Sequence, residues 1–222
     1  MKELTKPIVK TSLLLIICLV SVSCKPLLYP LARLFGGPKE SELKVMRENF
    51  IRLQKEISTS KMAVFPPCII NFHKHEWKPD VPKQLVQFME TEMKIEAYEI
   101  SIEPEVDFIP LGRNQSRFRW DRARAYSAWV KKTQPVPAGD FIMFNDFICP
   151  PNSDCNSVLG VNIYVADFQG NISYTSVINS KHEIYKFIKP NSLKDCCIMV
   201  IKRFLEGLSM DVMDLYPPYG VG

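Results

Sequence analysis

Glycine is scarce in this chain, with nine residues in 222, scattered rather than grouped. They build neither a P-loop nor a G-x-G-x-x-G turn, so the two common phosphate-cradling loops are missing. There is no G-x-S-x-G, which removes the strained elbow of one large hydrolase class. No cysteines stand at C-x2-C spacing, so the paired-ligand pattern of structural zinc is absent. Histidine occurs only three times, at His73, His75 and His182. No dense lysine–arginine block is present, which argues against nucleic acid as a partner. Nor is there a run of about 20 apolar residues, the length a membrane-spanning helix requires.

What remains is the composition of a globular protein, 46% hydrophobic and 23% charged. A chain of this size buries a core without crosslinks. The uncharged run "TSLLLIICLVSVS" covers 13 residues from Thr11 to Ser23 and leads directly to Cys24. Lys2, Lys6 and Lys10 precede it, and small residues Ser21 and Ser23 lead to Cys24. A basic start, a short apolar stretch and a small-residue end make a secretory signal. The cysteine at its edge resembles the lipobox of bacterial lipoproteins, with Ser21 where leucine is usual. That resemblance implies a signal over residues 1–23 and lipidation of Cys24. An ordinary cleaved signal, or an uncleaved anchor that includes "LLYPLARLF", is the alternative. Cleavage before Cys24 removes three lysines and Glu3, taking the net charge from +4 to +2.

Five cysteines then remain. Cys149 and Cys155 flank the turn-rich "PPNSD" and are a candidate local disulfide in an oxidising compartment. Cys196 and Cys197 are adjacent in a helical segment, so at most one is expected to face the core. Small buried hydrophobes are the expected role for most of these thiols.

Residues 24–60 read as a proline-rich tether followed by an amphipathic helix. Leu43, Met46, Phe50, Leu53 and Ile57 recur at intervals of three and four. This stripe suits docking on the domain or a membrane-proximal stalk. The domain proper is expected over 61–210. "KMAVFPPCII" is a buried strand with a bend or edge at Pro66 and Pro67. A helix over 81–94, a strand over 95–103 and a helix over 116–133 capped by Ser116 follow. Three apolar stretches, 140–148, 157–168 and 172–180, read as strands, the last two joined in a hairpin at Gly170–Asn171. Ser192 and Asp195 open a final helix over 192–208. The tail 211–222 has no period and reads as loose. The order is β-α-β-α-β-β-β-α after the first helix, an α/β fold with a mixed sheet. The β-α-β part allows parallel pairing and the three consecutive strands require antiparallel pairing.

This succession resembles a group of bacterial envelope lipoproteins that includes the curli-secretion-channel protein CsgG and domains similar to the N-terminal part of TolB. "KMAVFPP", "VPKQLVQFMETEMK", "DFIMFNDFI" and "GVNIYVADFQGNISYTSVINS" carry the resemblance, over roughly residues 61–208. The segments "LGRNQSRFRW" and C-x5-C lie outside that pattern. The resemblance implies an envelope lipoprotein whose α/β domain contacts other envelope components. No pore function is carried over, because no lipid-facing alternation of about ten residues per strand is found.

Residues that carry chemistry are few. His73 and His75, with His182 or Glu76, would need to converge to hold a metal. Cys68 with His182 would make a thiol–imidazole pair. Asp140, Asp146 and Asp167 fall near strand ends, where turn and cap roles compete with acid–base chemistry. The most unusual segment is "RNQSRFRWDRAR". Arg113, Arg117, Arg119, Arg122 and Arg124 stand there with Phe118 and Trp120. Arginine forks bind carboxylate and phosphate, and aromatics stack on sugars or guanidinium groups. The segment is therefore a candidate site for an anionic glycan, a lipid headgroup or an acidic partner. The competing reading pairs those arginines with Asp121 or with glutamates elsewhere.

The expectation is a lipid-anchored binding or assembly module of the bacterial envelope, at the inner or outer membrane facing the periplasm, without cofactor or metal. A periplasmic hydrolase or metal-dependent enzyme is the second reading. An oligomeric secretion-channel component, and with it a homo-oligomer, is the third.

Overall fold

A computed structural model describes residues 37–71, 74–111, 114–150 and 158–216. The signal and tether up to residue 36, with Cys24, lie outside the described residues, as do His73, Arg113, Cys155 and residues 217–222. The fold is a mixed α/β one with a seven-stranded sheet, built around strand β5 (Phe141–Ile148). All eight residues of β5 are buried, the mark of a central strand covered on both faces.

On one side β5 pairs with two short strands in tandem. β1 (Met62–Val64) and β2 (Cys68–Ile70) are both parallel to it. Val64 sits opposite Met143 and Cys68 opposite Asp146, so four steps on one chain match three on the other. The extra residue is absorbed at Pro66–Pro67, where proline cannot donate to a ladder. The expected single strand is therefore broken in two at that pair. β3 (His75–Trp77), to which the sequence reading assigned no element, adds antiparallel to β2. β4 (Ala97–Glu99) adds parallel to β1 after helix α2 (Pro82–Phe88) and a π turn (Met89–Met93) that ends at left-handed Lys94.

On the other side, β5, β6 (Gly160–Asp167) and β7 (Ile172–Asn179) form an antiparallel meander, as expected. The turn has a local cause. Asp167 Oδ1 accepts from the N–H groups of Gln169 (3.0 Å) and Asn171 (2.8 Å), and Gly170 takes φ +78°.

Helix α3 (Gln115–Thr133) covers one face, stacking Tyr126 on Phe144 with ring centroids 4.4 Å apart. Asn114, rather than Ser116, caps it, accepting from Arg117 N–H at 3.0 Å. Helices α2 and α5 (Leu193–Ser209) pack together on the other face, with the short α4 (Glu183–Ile188) against α5. Ser192 caps α5 as expected. Cys196 and Cys197 are both buried, which corrects the expectation that only one would be. The helix is covered by neighbouring helices as well as by the sheet, so its dry face is wider than a single stripe.

The open edge of β7 is covered. Helix α1 (Glu40–Glu56) lies along it and buries all five of its predicted stripe residues. Asn49 Nδ2 donates to the carbonyl of Ile172 (3.3 Å), and Thr175 N–H donates to Tyr216 Oη (2.8 Å). These contacts consume edge groups that otherwise invite strand addition. Phe50 packs between Tyr174 and Tyr216. The helix expected beside a tether thus shares the domain's core. The described part of the tail, read as loose, forms α6 (Val212–Leu215) and docks through Tyr216.

Candidate functional site

The start of α3 holds the arginine segment, and its four described arginines meet four different fates. Arg117 is exposed and bonds to Asp121 (3.5 Å) one turn away. Arg124 reaches Glu42 on α1 with Nε and Nη2 (3.1 and 3.2 Å) and Asp121 with Nη1 (3.2 Å), tying the helices together. Burial alone would raise the Glu42 pKa. The hydrogen bond from Arg124 and that from the Lys39 N–H outweigh it and hold the carboxyl below its ordinary range.

Arg122 is fully buried, which removes it from any surface patch. Phe118, Arg122 and Tyr126 share the helix face that meets the sheet. There Arg122 Nε and Nη2 donate to the two oxygens of Asp146 (3.1 and 2.7 Å). The hydroxyls of Tyr126 (2.7 Å) and Tyr164 (2.9 Å) donate to the same carboxylate. Burial opposes the Arg122 charge, and Asp146 more than restores it, so the guanidinium is held above its usual value. This is an internal ion pair with aromatic walls: Arg122 Nη1 is left without a hydrogen-bond partner among the described residues, while Asp146 accepts four hydrogen bonds and has no lone pair left for proton transfer.

Arg119 is the exception. It is half-buried over the Trp120 ring (5.5 Å), and its Nε has no hydrogen-bond partner among the described residues. No carboxylate faces it among the described residues, and burial pulls its pKa down.

Asp140 accepts from Tyr98 Oη (2.7 Å), and Asp167 holds the hairpin turn and pairs with Arg52. Both carboxylates are thus spent on structure. Cys68 shares the α3 face with Asp146. Burial first, and then the Asp146 charge, push its thiol up to about 12, so it is not a thiolate near neutrality. His75 Nδ1 is buried without a partner, and burial, helped by Arg122, lowers its pKa. His182 caps α4, accepting from Ile184 N–H (3.2 Å). Cys68 aligns through Asp146 and Asn162 to Val177. It is therefore about 14 Å, three strand spacings, from β7, and His182 lies beyond that strand. The thiol–imidazole pair is not assembled. Among the described residues no three metal-binding side chains converge, and no helix is long and apolar enough to cross a membrane. Cys149 is in a disulfide whose partner lies outside the described residues, while Cys68, Cys196 and Cys197 are free.

Two concavities adjoin α3. A groove of about 570 Å³ runs between α1 and α3, with Met46, Trp120 and Ala123 in it and the Arg124–Glu42 pair beside them. A smaller cavity of about 200 Å³ lies at the carboxyl end of β5, under the first turn of α3. Ligand crevices of open α/β sheets are found at that end. Phe118, Ile148 and Val177 give apolar walls, and Gln115, Asn162 and Asn179 give amides. Asn162 is only 2% exposed, and its side chain has no hydrogen-bond partner among the described residues. Sequence reading passed over Asn162, which looked like one polar residue in an apolar strand. Its alternation with Tyr164 was the available signal that it points inward beside Asp146.

No protein-family model matches the chain, and no curated protein matches it.

Proposed function

We propose that the chain is a bacterial cell-envelope protein, held to a membrane by a lipid on Cys24, whose α/β domain works by binding. The observation that carries this reading is the 13-residue uncharged run, Thr11–Ser23, that follows three lysines and leads directly to Cys24. Three features support it. Cys149 is in a disulfide, which suits an oxidising compartment. Cys68, Cys196 and Cys197 are buried with their thiols pushed up, and Asp146 is enclosed by donors, so these groups favour structure over turnover. The segment order resembles the CsgG and TolB N-terminal group of envelope proteins.

The mechanism is positional. Helix α1 begins at Glu40, so the tether from Cys24 reaches at most about 55 Å even when fully extended. A diacyl or triacyl anchor resides stably in a bilayer where a single chain does not. The domain then presents the α3 end of its sheet to an envelope protein or glycan. β7 is already covered, which closes that edge to strand addition, and recognition proceeds through helix faces and cavities.

The test is metabolic labelling with a radiolabelled fatty acid in a bacterial host, for the native chain and Cys24→Ser. The native chain takes up label and fractionates with membranes, and the variant does neither. Undiminished label in the variant refutes Cys24 as the anchor.

A further inference from the structure

The 200 Å³ cavity at the carboxyl end of β5 is built unlike a packing defect. A defect is lined by apolar groups and stays dry. This one carries the amide of Asn162, a residue 98% buried and without a side-chain partner among the described residues, beside Phe118, Ile148 and Val177. The first turn of α3 forms another wall through Gln115. In that turn Asn114 Oδ1 takes the Arg117 N–H. The N–H groups of Gln115 and Ser116 have no partner among the described residues, and the positive end of a 19-residue helix dipole lies there. One turn further along the same side of the helix stands Arg119, the half-buried arginine that no carboxylate faces among the described residues. The Asn162 amide and the first turn of α3 therefore meet at one apolar-walled space, with Arg119 outside its lining, one helix turn further on.

We propose that this cavity binds a small carboxylate with a compact apolar body. The carboxylate accepts from the Asn162 amide and from the first turn of α3, with the Arg119 charge behind it. The apolar body lies against Phe118, Ile148 and Val177. A cavity of about 150 Å³ takes a benzene-sized ring, so this one has room for a ring or a six-carbon chain plus the head. The inference does not rest on the lipid anchor and stands or falls separately from it.

The probe is benzoate, titrated calorimetrically into the full chain purified in detergent, with benzamide as the uncharged control. Benzoate is expected to bind 1:1 with Kd near roughly 1 mM, as suits nine heavy atoms, and benzamide about tenfold more weakly or worse. Asn162→Leu, close in volume, is expected to weaken benzoate at least tenfold without lowering the thermal midpoint. Arg119→Gln, at a half-buried position, is expected to weaken benzoate several-fold and leave benzamide unchanged, and it serves if Asn162→Leu does not fold. The proposal is overturned if benzoate shows no saturable heat up to roughly 20 mM. It is equally overturned if benzamide binds as well as benzoate, or if both variants keep native affinity. Water alone then fills the site.

Discussion

Arg122 and Arg119 are three residues apart on one helix, and their surroundings are opposite. Arg122 is fully buried and meets Asp146 with two hydrogen bonds, inside a ring of tyrosines. Arg119 is half-buried over the face of Trp120. The side chain is the same in both. What separates them is whether the facing strand brings a carboxylate. β5 brings Asp146 to Arg122, whereas nothing acidic faces Arg119 among the described residues. The first arginine is thereby used up in folding, and the second is left without a counter-ion among the described residues.

The largest expected effect breaks the first half of this comparison. Asp146→Leu leaves Arg122 buried and unpaired and should cost about 3–5 kcal/mol in urea unfolding. The double variant Arg122→Met/Asp146→Leu should recover most of it, because replacing a whole buried pair by apolar groups is close to neutral. If the double variant is no better than the single one, the pair is not what sets the cost. Arg119→Met makes the contrast. It removes a desolvated charge with no counter-ion and should leave stability unchanged or raise it by about 1 kcal/mol. A loss of more than about 2 kcal/mol would mean that Arg119 is as structural as Arg122.

Arg124→Ala tests the intermediate case, an exposed pair that joins α3 to α1, and should cost less than about 1 kcal/mol. It also carries a pH signature. The folded-state pKa of Glu42 is lowered, so its contribution is present above the ordinary glutamate value of 4.5 and is lost as pH falls through the lower, folded one. Stability measured across that acid range should lose this component in Arg124→Ala. An unchanged acid profile would remove Arg124 as its source. The smallest perturbation is alkylation of Cys68. With its thiol pushed up to about 12 beside Asp146, iodoacetamide at pH 8 should modify it only as fast as the chain unfolds. Rapid modification in the native state would show the buried surroundings of Cys68 and Asp146 to be open to solvent.

The parts of the fold that are local in sequence were legible. The α1 stripe, the Ser192 cap and the hairpin around Gly170 each need only a few neighbouring residues. The parts that depend on a distant partner were not. That Pro66–Pro67 splits one strand into two along the same neighbour depends on the register of β5, some eighty positions away. His75, Glu76 and Trp77 become β3 because β2 offers an edge. The arginine segment was recognisable as unusual, but its division into core, tie and free charge depends on Asp146 and Glu42, which the helix periodicity does not contain. Asn162 was missed for the same reason: an amide is conspicuous only once the space around it is known.

The central claim is that a lipid on Cys24 fixes this binding domain to the envelope. Intact-mass spectrometry of the mature protein, purified from the membrane fraction of a bacterial host, tests it most directly. The account predicts a chain that begins at Cys24 and carries the added mass of a diacylglyceryl group, with or without a third acyl chain. A chain that still begins at Met1, or one cut elsewhere with no acyl mass, would contradict it.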